Sequence, residues 1–346
     1  MKITAGLLFC CSGMLALHAE VTRTFSLQYA YPVSESIVID GRLDENAWKK
    51  APRHDKYYVY FNKQGTPSPE KTVSLLLYDA KGIYVGIINY CKDPQKIRRT
   101  ITTNSHVDIW QDDCAELYFN PLSDNVSYIR YAVNANAALH CMSRDATLIV
   151  NQDRMLPGSR FACSIGPTAW FIEAFLPWDD LDAKARPGDL WQFCHIRFAW
   201  GNGKFSGATS SIYGSYLKPE YFGYLFFLPG NKFPYHEIIA ALKQKAHAPW
   251  MLETGEKLII FDGKNTKEEH AGEKLHAVDV ECRKLYKKLI AETISTEGRK
   301  VLASIKKELD DIEKSTFTIS KLLRLLLVQE RLSDMEWHSR LEKKYR

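Results

Sequence analysis

The feature that most constrains this chain is a change of hydrophobic period partway along it. From Ile37 to about Leu228, apolar and polar residues alternate over short runs broken by Gly, Pro, Asn and Asp. From Lys267 onward, Lys, Glu and Leu recur at helical spacing instead. A period of two presents one face of a strand to a core, whereas a period near 3.6 presents one stripe of a helix. The first part therefore reads as mainly β, an antiparallel β-sandwich of jelly-roll type, and the second as an α-helical C-terminal arm or small bundle. With 346 residues, 45% of them hydrophobic, the chain can bury more than one structural unit.

The clearest strand signal is VSLLLYDAKGIYVGIINY, where Val73 to Tyr78 and Ile83 to Tyr90 flank a short link ending in Gly82 that suits a hairpin. CAELYFN, SYIRYAVN, WFIEAFL and LWQFCHIRFAW repeat the pattern. After Pro234, HEIIAALKQKA reads as a short helix and EKLIIFDG as one isolated strand. The expected organisation is a sandwich over 20–233, a linker over 234–266 and a helical arm over 267–346. Within the arm, Val301, Ile305, Leu309 and Ile312 line one helix face and Leu322, Leu325, Leu332 and Met335 another, with breaks expected at Gly298 and around Thr316 to Ser320.

The first residues, MKITAGLLFCCSGMLALHAE, combine an early Lys, an apolar run from Ile3 to Leu17 and small residues near Ala19. That is the layout of a secretory signal peptide over 1–19, and the run is too short to span a bilayer. Lipidation at Cys10 or Cys11 is disfavoured because Phe9 stands where a small residue is needed. The protein is therefore expected to be secreted, periplasmic or extracellular if bacterial, with no membrane span. Cys91, Cys114, Cys141, Cys163, Cys194 and Cys282 remain, an even number in a compartment that permits disulfides, and none forms a CxxC. The net charge of +5 is small and no basic block tracks along the chain, which argues against nucleic acid as a partner.

The segment IDGRLDENAW resembles the opening of family 9 carbohydrate-binding modules. LLLYDAKGIYVGI, IWQDDCAELYFNP, YAVNANA, EAFLPWDDL, GDLWQFCHIRF and FGYLFF follow in the family's order, so the resemblance covers about residues 37–228. It implies a sandwich that binds a sugar chain end or short oligosaccharide without catalysis. In the family a Trp six residues ahead of a Glu forms part of the binding cleft, which falls here on Trp110 and Glu116. One departure matters: sugar-binding members carry an arginine before the Val-Asn pair, and here that position is Ala132. Arg130, two residues earlier on the same face, begins roughly 6.5–7 Å away along the strand.

Strand parity adds to this. Ala115, Leu117 and Phe119 are expected in the core, leaving Glu116 on the other face; Ile129, Tyr131 and Val133 likewise leave Arg130 and Asn134 outward. Carboxylate, guanidinium and amide groups beside a flat aromatic are what sugar recognition needs. Trp200, where a strand meets a Gly-rich loop, is the second aromatic expected to sandwich the sugar with Trp110, provided that the strand ends at Ala199; otherwise its parity with Ile196 and Phe198 would bury it. Trp48, Trp170, Trp178 and Trp191 are expected in the core. Asp112 and Asp113 are the candidate ligands of a structural calcium, reachable together only from a loop.

Two other readings compete. Relatives of this sandwich bind haem, for which Met142 and His195 are the residues to try, although His195 also reads as a hydrogen-bonded core histidine. A glycoside hydrolase would need two carboxyl groups about 5–10 Å apart across a cleft, and no catalytic motif stands out. The reading carried forward is a secreted, non-catalytic carbohydrate-binding protein. Its helical arm serves either to dock a partner or second copy, or simply to pack on the sandwich.

Overall fold

The alternating runs become one long sheet in the computed structural model, which describes residues 23–61, 65–147, 151–201, 203–213, 217–230, 233–246, 249–292 and 295–345. The signal segment read at 1–19 lies outside these residues. In spatial order the strands are Gln152–Asp153, Leu139–Arg144, Tyr128–Asn134, Cys114–Asn120, Leu190–Ala199, Gly223–Phe227, Leu27–Pro32, Thr72–Tyr78, Gly82–Tyr90, Ala169–Pro177 and Arg160–Ile165. The sheet curls until its two halves face each other. Leu117, Phe119, Tyr131 and Val133 from one half share a core with Val85, Ile87, Trp170 and Ile172 from the other. All neighbours on this path are antiparallel except around Leu27–Pro32, which runs parallel to both of its neighbours. That strand precedes the recognised segment in sequence and fills the seam between the halves.

The IDGRLDENAW motif has a structural role. Glu173, fully buried on the Ala169–Pro177 strand, accepts hydrogen bonds from the backbone N–H groups of Asp40 and Gly41, each at 3.0 Å, and from the Trp48 indole at 2.9 Å. Burial raises the Glu173 carboxyl above its ordinary range despite these donors. Gly41 takes φ +88, and a Cβ there would lie 2.8 Å from the Cys163 carbonyl carbon, so only glycine fits. Trp48, Trp170, Trp178 and Trp191 are all buried, as expected of core aromatics.

The EKLIIFDG run is not isolated. Lys257–Phe261 is the middle strand of a meander with Trp250–Thr254 and Thr266–His270, and Arg23–Thr24 adds a parallel edge. Its two faces are covered by different partners. Ile259 packs with Ile238 and Leu242 of the helix Tyr235–Lys245, while Leu258 joins the helical core. Burial on both faces produces a continuous apolar run instead of alternation.

Helices Ala271–Glu292, Thr296–Glu313 and Thr318–Tyr345 pack around Cys282, Leu289, Ile305, Leu309, Leu322, Leu325 and Leu332. The first break falls at Ser295, whose hydroxyl caps the second helix by accepting the Gly298 N–H at 3.1 Å; Gly298 itself lies in the first turn. This bundle is docked rather than free. Tyr58 and Ile212 of the β domain belong to the same apolar cluster, Phe317 meets Tyr58 edge-on at 5.9 Å, and the Ser320 hydroxyl donates to the Gly65 carbonyl. Among the described residues no helix is long and apolar enough to cross a membrane. Among the described residues the six cysteines are all free thiols, so none of the disulfides that the sequence left open is formed there. Five of them sit on separate strands or helices and Cys91 just past the end of Gly82–Tyr90, and two donate to backbone carbonyls, Cys163 to Asn134 and Cys282 to Leu325.

Candidate functional site

A short turn, Ile109–Gln111, carries Trp110. Ile109 anchors it by packing fully buried against Ala132 and Ala138, leaving the neighbouring indole 41% exposed. Ile109 thus occupies the space next to Ala132. The Leu190–Ala199 strand ends just before Trp200, which keeps the parity of Ile196 and Phe198 and packs half-buried against the same outer-face cluster. The two indoles, 90 residues apart, lie side by side with ring centroids 6.4 Å apart and planes at 49°, and Trp200 Nε1 donates to the Trp110 carbonyl at 2.9 Å.

Two carboxylates hold this arrangement. Asp112 accepts from the Thr100 and Ile101 N–H groups, the Thr100 hydroxyl and the Asn134 amide, all at 2.8–2.9 Å. Burial pushes its carboxyl up, but these donors outweigh burial and hold it below the usual carboxylate range. Asp113 accepts from the backbone N–H of Arg98 at 2.8 Å and from that of Trp200, tying the 97–101 segment to the strand end. Burial wins at Asp113, whose carboxyl is raised. Gly201 completes the close approach: a Cβ there would stand 3.1 Å from the Lys96 carbonyl oxygen.

Asp112 and Asp113 therefore act as brackets. Their oxygens face N–H and O–H donors, the opposite of the surroundings a cation requires, and a calcium ion would have to displace those donors. Among the described residues no group of three His, Cys, Asp or Glu side chains is placed to hold a metal. Asn134 is likewise committed: its Nδ2 donates to Asp112 and the Ile101 carbonyl, and its Oδ1 accepts from Asn136 and Ala138.

Glu116 and Arg130 do meet on the outward face, as parity implied, but that face is not open. Arg130 Nη2 donates to Glu116, Nη1 lies 3.1 Å from His140 Nδ1, and the Tyr118 hydroxyl donates to Glu116 at 2.5 Å. Tyr60, Tyr128 and Phe222 form an apolar layer around Cys114, Tyr118 and Cys194, so both charged side chains are buried. Burial opposes the Arg130 charge, yet the adjacent carboxylate dominates and raises its pKa. The expected polar binding surface of Glu116, Arg130 and Asn134 is therefore an internal network, and only Trp110 and Trp200 of the five expected residues reach an exposed site.

Residues not singled out from sequence extend that site. Phe205 packs 5.0 Å from Trp200, and Phe61, 61% exposed with φ +67, lies 6.4 Å from Phe205. The Arg98 guanidinium sits 5.6 Å from the Trp200 ring centroid and carries no salt bridge among the described residues. Together these residues form a row of aromatic faces, Trp110, Trp200, Phe205 and Phe61, with a cation beside Trp200. The indoles touch each other, whereas a sugar held between two parallel rings needs about 7–8 Å, twice a van der Waals spacing. The pair is a tilted platform in this conformation, not an open slot.

The haem reading fails on geometry. His195 shares the inner face with its neighbour Leu117, its Nδ1 hydrogen-bonded to the Tyr57 hydroxyl at 2.5 Å, while Met142 packs on the outer face. Two side chains on opposite faces of a sheet cannot grip one macrocycle.

No protein-family profile and no curated protein matches the chain. Among solved structures, the chain is similar to a family 9 carbohydrate-binding module from Caldicellulosiruptor kristjanssonii in complex with glucose, over 60% of this chain and 97% of that one, at 17% identity and a TM-score of 0.45. A module of the same family and organism in complex with cellotriose matches over 60% and 95%, at 16% identity and a TM-score of 0.44. A candidate carbohydrate-binding protein from Bacteroides uniformis matches over 58% and 98%, at 12% identity and a TM-score of 0.48.

Proposed function

We propose that this chain is a secreted, non-catalytic carbohydrate-binding protein that holds a sugar chain end or short oligosaccharide against Trp110. The observation that carries the reading is the meeting of Trp110 and Trp200 at the surface, continued by Phe205 and Phe61. Trp110, 41% exposed, heads a row of adjoining aromatic side chains, and a contiguous apolar surface of this kind marks a binding site more than a single exposed ring does. The flat, apolar face of a pyranose fits such a surface, and the Arg98 guanidinium beside it supplies donors for hydroxyl oxygens.

The non-catalytic part rests on the carboxylates. Asp112 and Asp113, adjacent to the Trp110 turn, are buried and already occupied by N–H donors, so neither is placed to protonate a glycosidic oxygen. Retention on insoluble polysaccharides tests the proposal. The mature protein should be retained by at least one polysaccharide in a panel, and Trp110→Ala should reduce that affinity about tenfold or more while leaving thermal unfolding unchanged. Equal retention of wild type and variant would remove Trp110 from the site, and no retention of either would refute the function.

A further inference from the structure

A second candidate site lies away from the indole pair, in a cleft of about 670 Å³ where the sandwich, the small sheet and the last helix converge. Its walls come from the start of the Leu27–Pro32 strand, the 53–58 segment, the Trp250–Thr254 strand and Ile319 of the helix Thr318–Tyr345. It shares no residue with the Trp110 row.

The lining has a distinct chemistry. Phe25, Tyr29, Phe233 and Tyr235 supply aromatic surface, with Phe233 half-exposed and set edge-on against Tyr29 at 5.0 Å. Three cations, Arg53, Lys56 and Lys257, are balanced by three carboxylates, Asp55, Glu253 and Glu268. Four of these six pair within the cleft, Lys56 with Glu253 at 2.5 Å and Lys257 with Glu268 at 2.8 Å, and the Tyr235 hydroxyl also donates to Glu268 at 2.6 Å. The Tyr29 phenol is raised by burial with no hydrogen bond contributing.

This combination selects among ligand classes. A phosphate or nucleotide would meet as many carboxylates as cations, and a lipid chain would have to cover charged groups with no compensating contact. A neutral ligand with many hydroxyls can use donors and acceptors alike and lay an apolar face on the rings. The volume falls within the usual range for small-molecule sites. We propose that this cleft is a second saccharide-binding site, taking a short neutral oligosaccharide. The inference stands on this cleft alone and does not depend on the Trp110 platform.

Isothermal titration of the mature chain with cellotriose, xylotriose and mannotriose tests it. In the Trp110→Ala background at least one of the three should still bind, and adding Phe233→Ala should weaken that residual binding about tenfold. Phe233 is half-exposed, so its removal should leave folding intact; Lys257→Ala, at an exposed lysine, provides an independent second variant expected to weaken the same event. The inference is overturned if no trisaccharide binds in the Trp110→Ala background, or if neither second substitution changes the residual affinity. Residual binding that depends on Phe233, in a protein whose total binding is indifferent to Trp110, would uphold the cleft while removing the platform.

Discussion

Replacing Arg130 by Met tests how the outward face of the sheet is used. The Arg130 and Glu116 side chains are 7% and 2% exposed, and the Tyr118 hydroxyl is the other donor to the Glu116 carboxylate. Arg130→Met keeps much of the stem volume but leaves a carboxylate buried with a single hydroxyl donor. Breaking a buried pair in this way costs about 3–5 kcal/mol, a large part of the 5–15 kcal/mol that typically separates a folded domain from its unfolded state. Removing both charges, as Glu116→Leu with Arg130→Met, should cost less than Arg130→Met alone, because no unpaired charge then remains inside. Urea unfolding followed by tryptophan fluorescence gives the three stabilities, and polysaccharide retention of the folded variants gives their binding. Binding should persist wherever the fold persists. The reasoning is refuted if Arg130→Met stays within about 0.5 kcal/mol of wild type, the range of an ordinary surface substitution, or if it loses binding at unchanged stability.

Three further outcomes are expected. Burial, reinforced by the nearby His54 and Arg197, pushes His195 down to about 3, so below the unfolded value of about 6.5 the unfolded chain takes up a proton that the folded chain refuses. Its contribution to stability is complete above that pH and declines by about 1.4 kcal/mol per unit as pH falls toward 3; His195→Gln should flatten the slope of stability measured at pH 7, 6 and 5, and an unchanged slope would count against a neutral buried ring. Gly41→Ala should destabilise by about 1–3 kcal/mol in thermal or urea unfolding, given its positive φ and the 2.8 Å approach to Cys163, whereas a neutral effect would contradict the motif's structural role. Burial raises the thiols of Cys114, Cys141, Cys163, Cys194 and Cys282, so in a chain of residues 20–346 a thiol reagent should label them slowly in the native protein and label all six cysteines in denaturant; fewer than six would reveal a disulfide.

Periodicity reported what each strand contributes to its own two faces, and little beyond that. It placed Ala115, Leu117 and Phe119 inward and Glu116 outward, and the structure agrees on both. It had no access to what covers the outward face, because Tyr60 and Phe222 arrive there from distant segments. Glu116 and Arg130 therefore looked like a binding surface when they are an internal pair. Trp110 and Trp200 were legible for a different reason. The family resemblance pointed to Trp110, and the step from a strand into a Gly-rich loop pointed to Trp200, which ends half-buried on the face its parity with Ile196 and Phe198 gives it. Arg98, Phe205 and Phe61 carried no local signal: a cation and two phenylalanines in loops become a surface only when the 97–101, 200–205 and 57–61 segments converge. Lys257–Phe261 was read as a strand but its sheet was missed, because its neighbour Thr266–His270 is polar throughout and does not alternate.

The most direct measurement is an oligosaccharide titration watched through the indole N–H resonances of the ¹⁵N-labelled chain of residues 20–346. Trp110 and Trp200 should move together and saturate, while those of the buried Trp48, Trp170, Trp178 and Trp191 stay in place. Shifts confined to the buried indoles, or a bound sugar that leaves Trp110 and Trp200 unmoved, would contradict the account.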